Sequence, residues 1–81
     1  MLKINFYTRD NCQLCDEALD LLSLLKKEFP HEIVRKDITT NIDWLRAYRT
    51  DIPVLEIDDD LIKAKDITYE NLEKFLQKHR N

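Results

Sequence analysis

Between Leu2 and Phe29 the spacing of apolar residues changes once, and the change falls on the only two cysteines of the chain. Leu2, Ile4 and Phe6 alternate with Lys3, Asn5 and Tyr7, the period of a strand over Leu2 to Tyr7. From about Cys12 to Phe29 the residues Leu14, Ala18, Leu21, Leu22, Leu25 and Phe29, widened by Leu19 and Leu24, recur at helical spacing. Only a short polar loop, Thr8 to Asn11, separates the two patterns. A strand must therefore become a helix at Cys12-Gln13-Leu14-Cys15, and the remaining chain has to pack around that corner. Asp16 and Glu17 near the helix start, and Lys26 and Lys27 near its end, complement the helix dipole. Pro30 ends the pattern.

Further along, Glu32 to Ile38 reads as a second strand, with Ile33, Val34 and Ile38 among charges. Its connection through a helix predicts a parallel, right-handed crossover onto the first strand. Thr39, Thr40 and Asn41 offer N-caps for a short helix over about Ile42 to Tyr48, anchored by Trp44 and Leu45. Pro53 to Ile57 is a third strand. Asp58-Asp59-Asp60 makes a turn, and Leu61 to Ala64 returns as a fourth strand in an antiparallel hairpin. Thr68 caps a last helix to about Lys78. Ile67 and Leu72 form a hydrophobic staple there, and Leu72, Phe75 and Leu76 face the sheet. This order predicts one α/β domain over 1–81 with a mixed four-stranded sheet.

The chain has 81 residues and no glycine. Turns that need a positive φ must use Asn or Asp. Hydrophobic residues make up 43% and charged residues 36%, which favours a small packed core under a charged surface over disorder. The net charge is −3 and no basic block stands out, which argues against nucleic acid as a partner. No apolar run is long enough for a membrane span. Strand patterning begins almost at Met1, so no signal peptide is expected. A cytoplasmic monomer is the resulting expectation.

Two cysteines at this spacing make a poor structural staple. Closing a loop of about four residues gives only about 2 kcal/mol on the chain-entropy estimate. A functional pair in a reducing compartment fits better. Thiol–disulfide exchange proceeds through the thiolate, and a helix N-terminus favours that anion. Cys12 lies at the exposed end as the attacking thiol, and Cys15, one turn inside, resolves the mixed disulfide. At pH 7 a thiol of pKa about 8.5 is about 3% thiolate, and one of about 6.5 is about 75%. That 25-fold gain is offset about 8-fold by lower nucleophilicity, so the net improvement in attack is only about threefold. The larger benefit is a better leaving group at Cys12. Arg9 adds positive charge nearby, and Asp10, Asp16 and Glu17 oppose it. A zinc site needs four ligands, and the only other strong candidates, His31 and His79, are not at zinc-finger spacing. A metal or iron–sulfur cluster shared across a dimer, or a non-catalytic adaptor, is the rival reading.

Phe6-Tyr7-Thr8-Arg9-Asp10-Asn11-Cys12-Gln13-Leu14-Cys15 resembles the strand, loop and CxxC corner of the glutaredoxin-like branch of the thioredoxin superfamily. Leu14-Cys15-Asp16-Glu17-Ala18 is most similar to its short C-x-L-C members. A second motif, Asp51-Ile52-Pro53-Val54-Leu55, looks like the family segment before the third strand. The resemblance implies a thioredoxin-like fold with sheet order 2-1-3-4 and helices on both faces. It implies a cis Ile52–Pro53 bond, with Pro53 against the CxxC and the Ile52 backbone open to an extended substrate. A protein disulfide or glutathione mixed disulfide is the implied substrate, with Arg9, Gln13, Leu14, Ile52, Pro53 and Asp66 around it. Glutathione or a thioredoxin-type reductase would supply electrons, with no bound cofactor. Lys63-Ala64-Lys65-Asp66 departs from the Gly-Gly-acidic stretch of glutathione-using relatives, and Asp66 is the residue left for the acidic role.

For the other residues, ordinary surface and packing roles are the expectation. Trp44 and Tyr48 should pack, Arg46 and Arg49 should be solvated, and Asp58-Asp59-Asp60 should be a turn. His31 and His79 are expected at the surface.

Overall fold

A computed structural model describes residues 1–80 of the chain. Strand β1 (Leu2–Thr8) lies inside the sheet, because its side chains serve both faces. Ile4 and Phe6 point to one face and Tyr7 to the other, and all three are buried. β1 pairs in parallel with β2 (His31–Asp37) and antiparallel with β3 (Val54–Ile57). β3 pairs antiparallel with β4 (Asp60–Lys63). The sheet order is β2-β1-β3-β4, the mixed four-stranded arrangement expected.

Helices α1 (Gln13–Leu25) and α3 (Tyr69–His79) cover one face. Cys15, Ala18, Leu22 and Leu25 meet Leu72, Phe75 and Leu76 over Ile4, Phe6, Leu55 and Ile57. Helix α2 (Ile42–Tyr48) covers the other face. It buries no residue fully but packs Trp44, Leu45 and Tyr48 against Tyr7, Ile38 and Val54. The Tyr7 ring meets Trp44 edge-on at 5.6 Å and Tyr48 at 4.7 Å between centroids. Trp44 and Tyr48 are thus packing groups, and aromatic pairs of this kind add about 0.5–1.5 kcal/mol each beyond area burial.

Caps account for the boundaries. Asn41 Oδ1 accepts the Asp43 and Trp44 N–H groups at the start of α2, and Thr68 Oγ1 accepts the Asn71 N–H at the start of α3. Ile67, just before that cap, packs with Leu72 on the core as a staple should. Helix α1 stops at Leu25, earlier than its apolar pattern implies. The Lys26 N–H bonds the Ser23 carbonyl at 3.4 Å, a tightened last turn, and Phe29 still reaches the core from the turn beyond. The pattern therefore reported burial correctly and helix length wrongly. The hairpin is also tighter than expected: Asp60 pairs with Ile57, so the loop is Asp58-Asp59, and Ala64 leaves the strand for a 3-10 turn, Ala64–Asp66.

Both histidines depart from the surface role expected of them. His31 is 1% exposed. Its Nδ1–H donates to the Phe29 carbonyl at 2.7 Å, which satisfies the ring at the start of β2. His79 is only partly exposed, packs edge-on to Phe75 at 5.2 Å, and hydrogen-bonds Asp60 at 2.9 Å. Asp60 also accepts from Lys78 Nζ at 3.0 Å. These two bonds hold its carboxyl below the usual carboxylate range, His79 first and Lys78 second.

Among the described residues two non-glycine positions have positive φ, Asn11 at 57° and Asp58 at 55°. In a chain without glycine, these short polar side chains take the left-handed turns. Asp58→Gly should therefore keep or raise stability by up to about 1 kcal/mol, whereas Asp58→Val should cost about 1–2 kcal/mol. Urea denaturation of the two variants measures this. Tyr7 yields a second expectation. Burial, then the Glu56 charge, then the hydrogen bond to Glu56, push its pKa up to about 12 from 10.0, with a smaller contribution from Tyr48. Below pH 10.0 the phenol is protonated folded or unfolded; above it the unfolded chain ionises first. Stability should hold up to about pH 10 and fall as pH rises to about 12. Glu56→Gln should move the Tyr7 midpoint down in an ultraviolet titration.

Candidate dithiol site

The corner begins where β1 ends. Arg9, Asp10 and Asn11 turn the chain, with Asn11 in the left-handed region. Cys12 is the N-cap of α1, with extended φ −116° and ψ 101°. Its carbonyl accepts the Asp16 N–H at 3.1 Å, and its Sγ accepts the Cys15 N–H at 3.1 Å. The sulfur thus takes the place that a Ser or Asp oxygen usually holds at a helix start. Cys12 and Cys15 form a disulfide, with Cα atoms 5.2 Å apart. Cys15 is 2% exposed and sits in the main core, while Cys12 is half-buried at its edge.

A depression of about 280 Å³ opens beside Cys12. Arg9, Asp10, Asp16, Arg35 and Asp37 supply its charged walls. Asp37 accepts the Thr39 hydroxyl at 2.7 Å and the Thr39 N–H at 2.9 Å, and these bonds, helped by the Arg9 charge, hold its carboxyl below the usual range. A smaller depression of about 60 Å³ lies between α1 and Pro53. Leu14, Glu17, Ala18, Leu21, Pro53, Ala64 and Ile67 line it. The Ile52–Pro53 peptide bond is cis, as the resemblance implies.

The expected site residues divide between these places. Arg9 and Cys12 line the larger depression, and Leu14 and Pro53 line the smaller one. Gln13 is exposed on α1, where its amide donates to Glu17 Oε2 at 3.1 Å. Ile52 is half-buried and packs against both cores. Asp66 is exposed in the 3-10 turn and lines neither depression; its backbone carbonyl accepts from Asn71 Nδ2 at 2.9 Å. The Ala64 N–H donates to the Asp51 carbonyl at 3.2 Å, and Lys63 pairs with the Asp51 carboxylate at 3.2 Å.

No sequence motif singles out Arg35 and Asp37. The parallel register sets Asp37 opposite Thr8 and Arg35 opposite Phe6, so the end of β2 borders the corner. Counting back equal strand lengths from Thr8 and Asp37 would have found them. The sequence points to Ile67 only as a staple residue, and to Ala64 as a strand end and as part of the stretch that departs from Gly-Gly.

A family model described as a glutaredoxin-like domain (DUF836) matches residues 3–77. The chain belongs to this glutaredoxin-like family. Solved structures agree on the fold of the glutaredoxin-like domain. Protein XcR50 of X. campestris is 22% identical with a TM-score of 0.81, over 95% of this chain and 99% of that one. Fasciola hepatica thioredoxin is 20% identical with a TM-score of 0.70, over 98% of this chain and 81% of that one. Mitochondrial thioredoxin 3 of Saccharomyces cerevisiae, in its oxidized form, is 23% identical with a TM-score of 0.63, over 94% and 76%. The fold is thioredoxin-like, and with the bonded Cys12–Cys15 pair it points to a redox function.

The unequal burial of the two sulfurs has a direct consequence. After gentle reduction, iodoacetamide should modify Cys12 at least about tenfold faster than Cys15, because alkylation needs an accessible thiolate. Peptide mapping by mass spectrometry at early times reads the ratio.

Proposed function

We propose that the chain is a thiol–disulfide oxidoreductase that reduces protein disulfides or glutathione mixed disulfides. The carrying observation is the pairing of a half-buried Cys12 at the N-cap with a buried Cys15 one turn on. In the reduced protein the Cys12 thiolate attacks one substrate sulfur. The other substrate sulfur leaves as a thiolate and is protonated. The Cys15 thiolate then displaces Cys12 from the mixed disulfide, so two electrons pass to the substrate and the Cys12–Cys15 disulfide forms. The Cys15 N–H that bonds Sγ stabilises the anion at Cys12 as attacker and as leaving group.

Cys12 and Cys15 are the catalytic residues of this reading. Arg9, Leu14 and Pro53 border the substrate, and the Ile52 backbone offers it an extended pairing surface. Gln13 positions Glu17 at that border. Asp66 lies in the 3-10 turn that follows the hairpin and is the carboxylate assigned the acidic role. Glutathione or a thioredoxin-type reductase returns the protein to its dithiol. The protein works as a cytoplasmic monomer without a bound cofactor.

Cys12→Ser should abolish insulin disulfide reduction, and Cys15→Ser should accumulate a mixed disulfide visible by mass. Retention of full activity in Cys12→Ser would falsify the proposal, as would a stoichiometric metal in anaerobically purified protein that shows no reductase activity.

A further inference from the structure

The smaller depression has walls of definite chemistry. Leu14, Ala18, Leu21, Pro53, Ala64 and Ile67 make them apolar, and Glu17 is the one charged residue among them. Its volume of about 60 Å³ has room for about four water-sized groups, the size of one aliphatic side chain. The Gln13 amide holds the Glu17 carboxylate at the rim. Of the nearby cations, Lys63 is paired with Asp51, and Lys65 is exposed beside Asp66. On the other side of Cys12, Arg9 and Arg35 stand among Asp10, Asp16 and Asp37. The two depressions at this helix start are therefore walled by four carboxylates, Asp10, Asp16, Glu17 and Asp37, against two cations, Arg9 and Arg35.

We infer that the physiological substrate is a protein disulfide whose cysteine is flanked by an aliphatic and a basic residue. The aliphatic side chain enters the depression and the cation faces Glu17. This rests on the oxidoreductase reading above and selects among its substrates. A glutathionyl group carries two carboxylates against one ammonium, so the acidic border opposes it. The Ala64 N–H, already bonded to the Asp51 carbonyl, is not free to receive a carboxylate. Exchange follows the electron balance given above, with the Cys12–Cys15 dithiol as the reductant.

Pre-reduced protein is mixed in single turnover with cystine-linked peptides of the type Leu-Cys-Lys, Leu-Cys-Glu and Ser-Cys-Lys, and with oxidised glutathione. Formation of the Cys12–Cys15 disulfide is followed. The Leu-Cys-Lys peptide should react about fivefold faster than Leu-Cys-Glu near 0.01 M salt, and less than about twofold faster near 1 M salt. Oxidised glutathione should group with Leu-Cys-Glu, and Ser-Cys-Lys should be about threefold slower than Leu-Cys-Lys. Glu17→Lys, on the exposed side of α1, should reverse the charge preference. Equal rates for the Lys and Glu peptides, or a Lys preference that survives Glu17→Lys, would overturn the inference. Failure of every probe to oxidise the protein would instead overturn the oxidoreductase reading itself.

Discussion

One hydrogen bond, from the Cys15 N–H to the Cys12 sulfur, couples the fold to the chemistry. It caps α1, so the helix can start where β1 delivers the chain. It also turns a helix N-terminus toward a sulfur, where backbone donors favour negative charge. The second cysteine follows from the same turn. Three residues along α1 the side chain points back under the cap, into the cluster of Ile4, Phe6 and Ala18. One helix start therefore yields an accessible sulfur and a protected partner within bonding reach.

The sheet holds that helix start in place. β1 is central, paired on both sides, and its residues alternate between the two cores. Two polar side chains of β1 on the α2 side of the sheet, Asn5 and Tyr7, both donate to Glu56. A half-buried carboxylate is thus satisfied by β1 itself, which aligns β1 with β3 and with the Ile52–Pro53 segment that precedes it. The placement of Pro53 beside α1 is in this sense a consequence of β1–β3 register.

Most of this was legible in the sequence because it depends on periodicity. The change from Leu2-Ile4-Phe6 alternation to the Ala18-Leu22-Leu25 stripe located the corner and the two main elements around it. The absence of glycine indicated Asn and Asp for left-handed turns, and Asn11 and Asp58 take them. The failures share a different cause. The burial of His31 depends on a single carbonyl, that of Phe29, folding back at a turn. The position of Arg35 depends on interstrand register. The end of α1 depends on a tightened last turn, which leaves no mark on hydrophobic spacing. Residues on neighbouring strands carry no periodic signal linking them.

The wall of the smaller depression opposite α1 shows how little of a site has to be catalytic. Ala64 and Ile67 lie between β4 and α3, in a short 3-10 turn and the residue after it. Asp51 holds the turn from one side, through the Ala64 N–H and the Lys63 ion pair. Asp60 holds the far end of α3, through Lys78 and His79. Exposed ion pairs are individually weak, so the main constraint on this wall is the burial of Leu72, Phe75 and Leu76 beneath it. Ala64 restricts the turn more than a glycine would and adds its side chain to the lining of the depression. The backbone at this turn and the apolar character of the wall are therefore set by one residue.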